Sequence, residues 1–162
     1  DHKFVYSHVG YNMKITDMQA ALGCSQLDKI DTFIEKRKKN FNYLMKRFLD
    51  EKLDKFFIMP EKHPKSDPSW YGFLLTIKNS KKINRNKLVS FLNEKKVLTR
   101  LLFAGNLTKQ PGYMNREHKI IGNLKNTDKI MSDTFWVGVW PGLDEIQLDY
   151  IVNEIKKFIR EN

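Results

Sequence analysis

Apolar positions along the chain follow two rhythms. Leu27, Ile30, Ile34, Phe41, Leu44 and Phe48 recur at helical spacing, with Met45 and Leu49 beside them, while Lys, Arg, Glu and Asp fill the opposite face. Thr16 and Gln19 stand three apart, the spacing of a capping box. The pattern therefore predicts one long helix that starts at about Thr16 and runs without a break to 49–53. Beyond it the rhythm shortens. Phe56-Phe57-Ile58-Met59 is an apolar run stopped by Pro60, which reads as a short strand, and residues 60–69 hold three prolines and read as a loop.

Residues 70–78 alternate as a strand does, and Asn79 to Lys82 is turn material. Asn84 can cap a helix through about Lys96 whose Leu88, Val89, Phe91 and Leu92 face a core. Residues 97–103 form the next strand, ending in the loop Ala104-Gly105-Asn106. A helix from Asn126 or Thr127 would carry Ile130, Met131, Thr134 and Phe135 on one face, and 135–140 would follow as a strand closed by Pro141-Gly142. Asp144 and Gln147, again at capping-box spacing, open a last helix that buries Leu148, Ile151, Val152, Ile155, Phe158 and Ile159. At the other end, Phe4, Val5 and Tyr6 either form a short strand or pack. The sum is an α/β protein of the α+β kind, with a small, mainly antiparallel sheet of three strands covered by helices.

Composition narrows the function classes. With 41 % hydrophobic and 12 % aromatic residues, the chain suits a packed core. No apolar run approaches the roughly 20 residues of a membrane span, and no leader pattern opens the chain, which predicts a soluble protein without a membrane partner. The net charge of +10 invites a nucleic-acid reading. Only Arg37, Arg47, Arg85, Arg100, Arg116 and Arg160 are arginines, however, and the lysines are scattered among acids. Phosphate and base recognition favours arginine forks in clustered patches, so a solvated lysine-rich surface is the better account and no nucleic-acid partner is expected.

Cys24 is the single cysteine, so neither an internal disulfide nor a multi-cysteine metal site can be built; it reads as a small buried apolar residue. His2 and His8 lack a third ligand nearby, which leaves no metal site in view, and His63 falls in the proline-rich loop.

Asn12 and Lys14 precede the predicted helix start, where an anion would meet backbone N–H groups, an amide and a cation together. The competing account is ordinary capping and surface charge. Arg100 interrupts an apolar strand, and Gly105 lets backbone approach a neighbour closely. A surface ion pair and a substrate contact are both open for Arg100. Trp70, Trp136 and Trp140 read as core or rim. No complete catalytic set is visible: no lysine set for a Schiff base, no known glycine-rich phosphate loop, no Ser/His/Asp arrangement.

Gly-Tyr-Asn-Met-Lys-Ile-Thr-Asp-Met-Gln-Ala-Ala at 10–21, followed by Gln26-Leu27, resembles the sugar aminotransferases and dehydrases of the DegT/DnrJ/EryC1/StrS group, which are pyridoxal-phosphate proteins of fold type I. Pro-Ser-Trp-Tyr-Gly-Phe at 68–73, Thr-Arg-Leu-Leu-Phe-Ala-Gly-Asn-Leu-Thr-Lys-Gln-Pro at 99–111, and the 126–138 segment resemble the CDP-4-keto-6-deoxyglucose 3-dehydrase branch. The likeness covers the whole chain but only the C-terminal part of the family's protein.

That resemblance implies 1–15 as a lead-in from a large domain, 16–53 as a connecting helix and 54–162 as a C-terminal small α/β domain. It implies a cytoplasmic homodimer acting on a nucleotide sugar in lipopolysaccharide dideoxysugar synthesis. Asn12 and Lys14 would hold the phosphate of pyridoxamine or pyridoxal phosphate in the neighbouring subunit. Many members carry Arg where this chain has Lys14. Arg100, Phe103, Gly105 and Asn106 would wall the substrate pocket, with Gln110 and Tyr113 at its border. The branch's two-iron, two-sulfur cluster would sit on upstream cysteines, a reductase partner would complete the reaction, and the catalytic His would also lie upstream. On this reading the chain holds no catalytic residue and is inactive alone. An aminotransferase of the same family with an upstream Lys is the alternative, and a non-catalytic remnant or basic interaction module is the other.

Overall fold

A computed structural model describes residues 4–10 and 14–161. Helices α1 (Asp17–Leu27) and α2 (Ile30–Asp50) come first, then strands β1 (Phe57–Ile58) and β2 (Gly72–Ile77), helix α3 (Arg85–Glu94) and strand β3 (Thr99–Leu101). Helices α4 (Pro111–Met114) and α5 (Lys125–Asp133), strand β4 (Thr134–Gly138) and helix α6 (Glu145–Glu161) complete the order.

The sheet has four strands in the order β1-β2-β4-β3, every neighbouring pair antiparallel. β4 is thus inserted between β2 and β3, which run in the same direction with α3 as their crossover. Phe73 pairs with Val137 and Leu75 with Phe135, and these side chains point at α2, α3 and α6. Phe41, Leu44 and Phe48 of α2 meet Leu88 and Leu92 of α3 and Leu148, Val152 and Ile155 of α6 over that face. Phe48 and Phe73 lie 5.0 Å apart, ring to ring. Polar ties reinforce the packing. Buried Asn40 donates to the Trp140 carbonyl (2.8 Å), and Arg47 donates through Nε to Asp149 (2.6 Å), joining α2 to α6.

All three predicted capping signals are used. Gln19 Oε1 accepts the Thr16 N–H (2.8 Å), Gln147 Oε1 accepts that of Asp144 (2.7 Å), and Asn84 Oδ1 accepts that of Lys87 (3.0 Å).

Five expectations change. The long helix is broken at Asp28 and Lys29, where Lys29 N–H bonds back to Gln26 O (3.1 Å), and just before the break Ser25 Oγ donates to Leu22 O (2.7 Å). Such a back-bond competes with the helical ladder. α1 buries no residue, so Cys24, expected to be buried, is exposed: none of the described elements packs on its face. α5 ends at Asp133, and Thr134 and Phe135 belong to β4, where Thr134 and Thr76 share a 2.8 Å hydroxyl hydrogen bond. The sheet gains β1 as a fourth strand, and β3 is confined to Thr99–Leu101. α3 stops before Lys96 because Lys96 takes φ +63, with its N–H on Asn93 O (3.0 Å) and that of Val97 on Leu92 O (2.9 Å), a Schellman end with lysine in the usual glycine place.

Candidate functional site

The residues that follow β3 fold back onto the chain's first described segment. Tyr6 N–H donates to Gln110 Oε1 (2.9 Å), and Gln110 Nε2 donates to Ala104 O (2.7 Å), with the carboxamide only 2 % exposed. Gly112 N–H donates to Tyr6 O. A β-carbon at Gly112 would lie 2.9 Å from that oxygen and 3.0 Å from His8 N, so the two backbones approach as only glycine permits. Gln110 therefore does more than border a pocket. It ties residues 4–10 to the 104–112 loop.

The loop is braced from the other side by α5. Gly105 takes φ +64, and a β-carbon there would stand 2.7 Å from Met131 Cβ and Cγ; the close neighbour of this glycine is a helix of the same chain. Asn106 is 2 % exposed. Its Oδ1 accepts from Thr108 N (3.0 Å) and Thr108 Oγ1 (2.7 Å), and its Nδ2 donates to Asp128 (2.7 Å). Asn106 thus shapes the loop from within. Lys109 pairs with the same Asp128 (2.8 Å), and that ion pair, with the Asn106 hydrogen bond, holds the Asp128 carboxyl below its ordinary value.

Between loop, strap and helix lies a cleft of about 330 Å³ whose walls include Phe4, Phe103, Gly105, Gln110 and Met131. Phe103, at φ +47 and 58 % exposed, meets Phe4 edge-on at 6.2 Å. Its other side borders a smaller apolar hollow of about 160 Å³ with Trp70, Leu74 and Trp136. Arg100 pairs across the sheet with Trp136, on the face turned away from the helical core, and its Nη1 donates to Thr99 O (3.0 Å). Among the described residues no carboxylate forms an ion pair with it. Trp136 lies over Gly72 and Trp70 stacks on Phe41 at 5.1 Å, the core-and-rim placement expected of them, while Trp140 is exposed.

Arg85 also lines the cleft, and the sequence reading passed over it. Its Nη1 donates to Met131 O (2.9 Å), and its Nε and Nη2 reach Asn86 Oδ1 (3.1 and 2.8 Å). Burial lowers its pKa from the ordinary guanidinium value, opposed in part by the charge of Asp133. In the sequence it is marked only by its place after the cap residue Asn84; the fold brings it to the cleft that Phe103 and Lys109 also line.

Lys14 is exposed just ahead of α1, and Asn12 lies outside the described residues. A cationic side chain free of any ion pair among the described residues fits a phosphate, and nothing described here fits the ring end of a pyridoxal-type cofactor. The single Cys24 offers one thiolate at most, and among the described residues no three His, Cys, Asp or Glu side chains gather to hold a metal, so these residues do not build an iron-sulfur site. Tyr113 is half-buried beside the loop, and His63 is exposed. No helix among the described residues is long and apolar enough to cross a membrane.

The fold is shared with part of pyridoxal-phosphate-dependent proteins of the aminotransferase fold. Its solved counterparts include the E. coli GDP-4-keto-6-deoxy-D-mannose-3-dehydratase with bound hydrated PLP, with a TM-score of 0.77 and 26 % identity, over 90 % of this chain and 36 % of that one. Residues 1–156 match the DegT/DnrJ/EryC1/StrS aminotransferase family, and the chain belongs to that family. It is similar at 50 % identity over 162 residues to the lipopolysaccharide biosynthesis protein RfbH of Salmonella typhimurium, covering all of this chain and 37 % of that protein. It is 43 % identical over 164 residues to the dTDP-4-dehydro-2,6-dideoxy-D-glucose 3-dehydratase of Saccharopolyspora spinosa, covering 34 % of it. The chain spans about a third of the length of the curated relatives it matches.

Proposed function

We propose that this chain is the C-terminal region of a nucleotide-sugar 3-dehydratase that uses pyridoxamine phosphate and an iron-sulfur cluster to remove the C3 hydroxyl of CDP-4-keto-6-deoxyglucose, on the way to 3,6-dideoxysugars of lipopolysaccharide. The observation that carries the reading is the 43 % identity, along the entire chain, to a protein named as a 3-dehydratase. The identity to RfbH supports the lipopolysaccharide setting. The cofactor, when bound, supplies the electron sink for loss of the hydroxyl.

In this reading residues 1–15 lead in from a large domain, 16–53 connect, and 54–162 form the small domain. Arg100, Phe103 and Gly105 wall the substrate pocket, with buried Asn106 holding their loop in shape. Asn12 and Lys14 reach the cofactor phosphate of a neighbouring subunit, which makes the whole enzyme a homodimer served by a reductase. The protein works in the cytoplasm, and this chain alone does not turn over.

The test is to express the longer protein that carries this region, load it with pyridoxamine phosphate and assay CDP-4-keto-6-deoxyglucose with a reductant. Loss of the C3 hydroxyl is the expected result. Amino transfer to the sugar, with a Schiff-base lysine upstream, would replace the dehydratase by the aminotransferase alternative. No turnover of either kind would leave a binding region only.

A further inference from the structure

The cleft beside Phe103 contains a cation that the loop architecture does not neutralise. Arg85 is half-buried, and of its five N–H groups three are bonded within the chain, to Asn86 Oδ1 and the Met131 carbonyl. One N–H on each of Nη1 and Nη2 has no recorded partner among the described residues. Both are on the guanidinium's terminal nitrogens, the atoms with which an arginine reaches the oxygens of a phosphate or carboxylate.

The carboxylates nearby are committed elsewhere. Asp133 accepts from Lys129 Nζ (2.9 Å) and from Ser132 Oγ (2.9 Å). Asp128 is held by Lys109 and Asn106. A guanidinium taken partly out of water with no carboxylate of its own is costly unless an anion arrives.

The rest of the cleft says what kind of anion. Lys109, paired with Asp128, lines it as a second basic side chain, and Phe4, Leu101, Phe103 and Ile130 make its walls largely apolar and aromatic. A volume of about 330 Å³ exceeds what a bare inorganic anion fills. An anionic group attached to a flat organic body fits both features.

We infer that Arg85 is a substrate-binding residue whose free N–H pair grips the diphosphate of the nucleotide sugar, with Lys109 as the auxiliary cation and Phe103 against the organic part. The inference rests on the nucleotide-sugar reading above and adds to it the residue that recognises the phosphates.

Binding of pyrophosphate, CDP and cytidine to this chain, read by calorimetry or NMR titration, tests the site directly. Arg85→Met is expected to weaken pyrophosphate and CDP by a common factor of about ten to a hundred and to leave cytidine unchanged. Arg85→Lys keeps the charge without the fork and should fall between. Equal pyrophosphate and CDP affinities in wild type and R85M, or binding of neither to the wild type, would overturn the site. Should R85M not fold, R85K with an unaltered unfolding midpoint decides the matter in the same way.

In the longer enzyme, R85M should raise KM for the nucleotide sugar by about the same factor and hold kcat within twofold. An unchanged KM alongside lost pyrophosphate binding would overturn the substrate assignment. If the longer protein dehydrates no nucleotide sugar, the enzyme reading has failed on its own, and the pyrophosphate titration still decides the anion site.

Discussion

Asn106 donates its amide to Asp128 across 2.7 Å, joining the loop after β3 to the first turn of α5. The link holds inside the fold a residue that the loop at Gly105 would seem to offer to a ligand. Its oxygen holds Thr108 twice, so the amide organises both ends of the turn.

Removing that amide should be felt as lost stability. Asn106→Ala leaves Asp128 and the Thr108 N–H short of a partner, and the expected cost is about 1–3 kcal/mol. Urea unfolding of the two proteins checks it. A midpoint unchanged within error would mean that the loop holds its shape without Asn106.

Asp128 should make part of the fold's stability depend on pH. Lys109 and Asn106 depress its pKa below the ordinary 3.8, so between the two values the unfolded chain binds more protons than the folded one. Stability from this group is therefore complete above the ordinary value and disappears as pH falls through the lower, folded one. Glu51, depressed from 4.5 chiefly by its hydrogen bond with Lys156, behaves the same way. The stability difference between wild type and Asp128→Asn should shrink on going from roughly pH 5 to pH 2. A constant difference across that range would contradict the assignment.

At Gly105 the geometry leaves no room for a side chain. Gly105→Ala would need a positive φ and would drive a methyl group to 2.7 Å from Met131. The strain and the overlap together should cost on the order of 1–3 kcal/mol, more than a routine surface change. Thermal unfolding of G105A beside Gly122→Ala separates the causes, because Gly122 also has positive φ, +74, but open space around it. G105A should lie clearly below G122A.

How far the sequence reached depends on whether the decisive force was local. Caps are local, and Asn84, Gln19 and Gln147 were each legible three residues away from what they bond. So was the core face of α6, where Leu148, Ile151, Val152 and Ile155 are buried as their spacing required. The helix break at Asp28 was hidden because the apolar spacing carries on through it, although Ile30 and Leu27 are exposed. The end of α3 was overrun by two residues because a lysine, not a glycine, takes the left-handed position. Arg85 and Asp128 were missed for another reason: their partners, Met131 and the Asn106–Lys109 pair, are brought to them only by the sheet order.

Cys24 illustrates how composition misleads where tertiary packing is missing. Cysteine is commonly buried, yet α1 has no buried position and the thiol is exposed. In this 162-residue chain Cys24 should react with a disulfide reagent under native conditions at nearly the rate seen in denaturant. A strongly retarded reaction would show that something covers α1 in solution.

The last prediction concerns Gln110, whose buried carboxamide bonds both the strap and the loop. Its oxygen serves Tyr6 and its nitrogen serves Ala104, so the two bonds need the amide in one orientation. Gln110→Glu keeps an acceptor for Tyr6, but its carboxylate loses the donor to Ala104 and brings a charge into a site that is 2 % exposed. Gln110→Leu keeps the bulk and loses both bonds. Both variants should be destabilised, by about 1–3 kcal/mol in the Leu case. They should also free residues 4–10 from the loop, so that the Tyr6 amide exchanges with solvent faster while the amides of β2 and β4 keep their protection. Uniform loss of protection over the whole sheet would make Gln110 a general stability residue. A selective loss at Tyr6 would make it the clasp that fixes the strap, and with it the approach to Lys14.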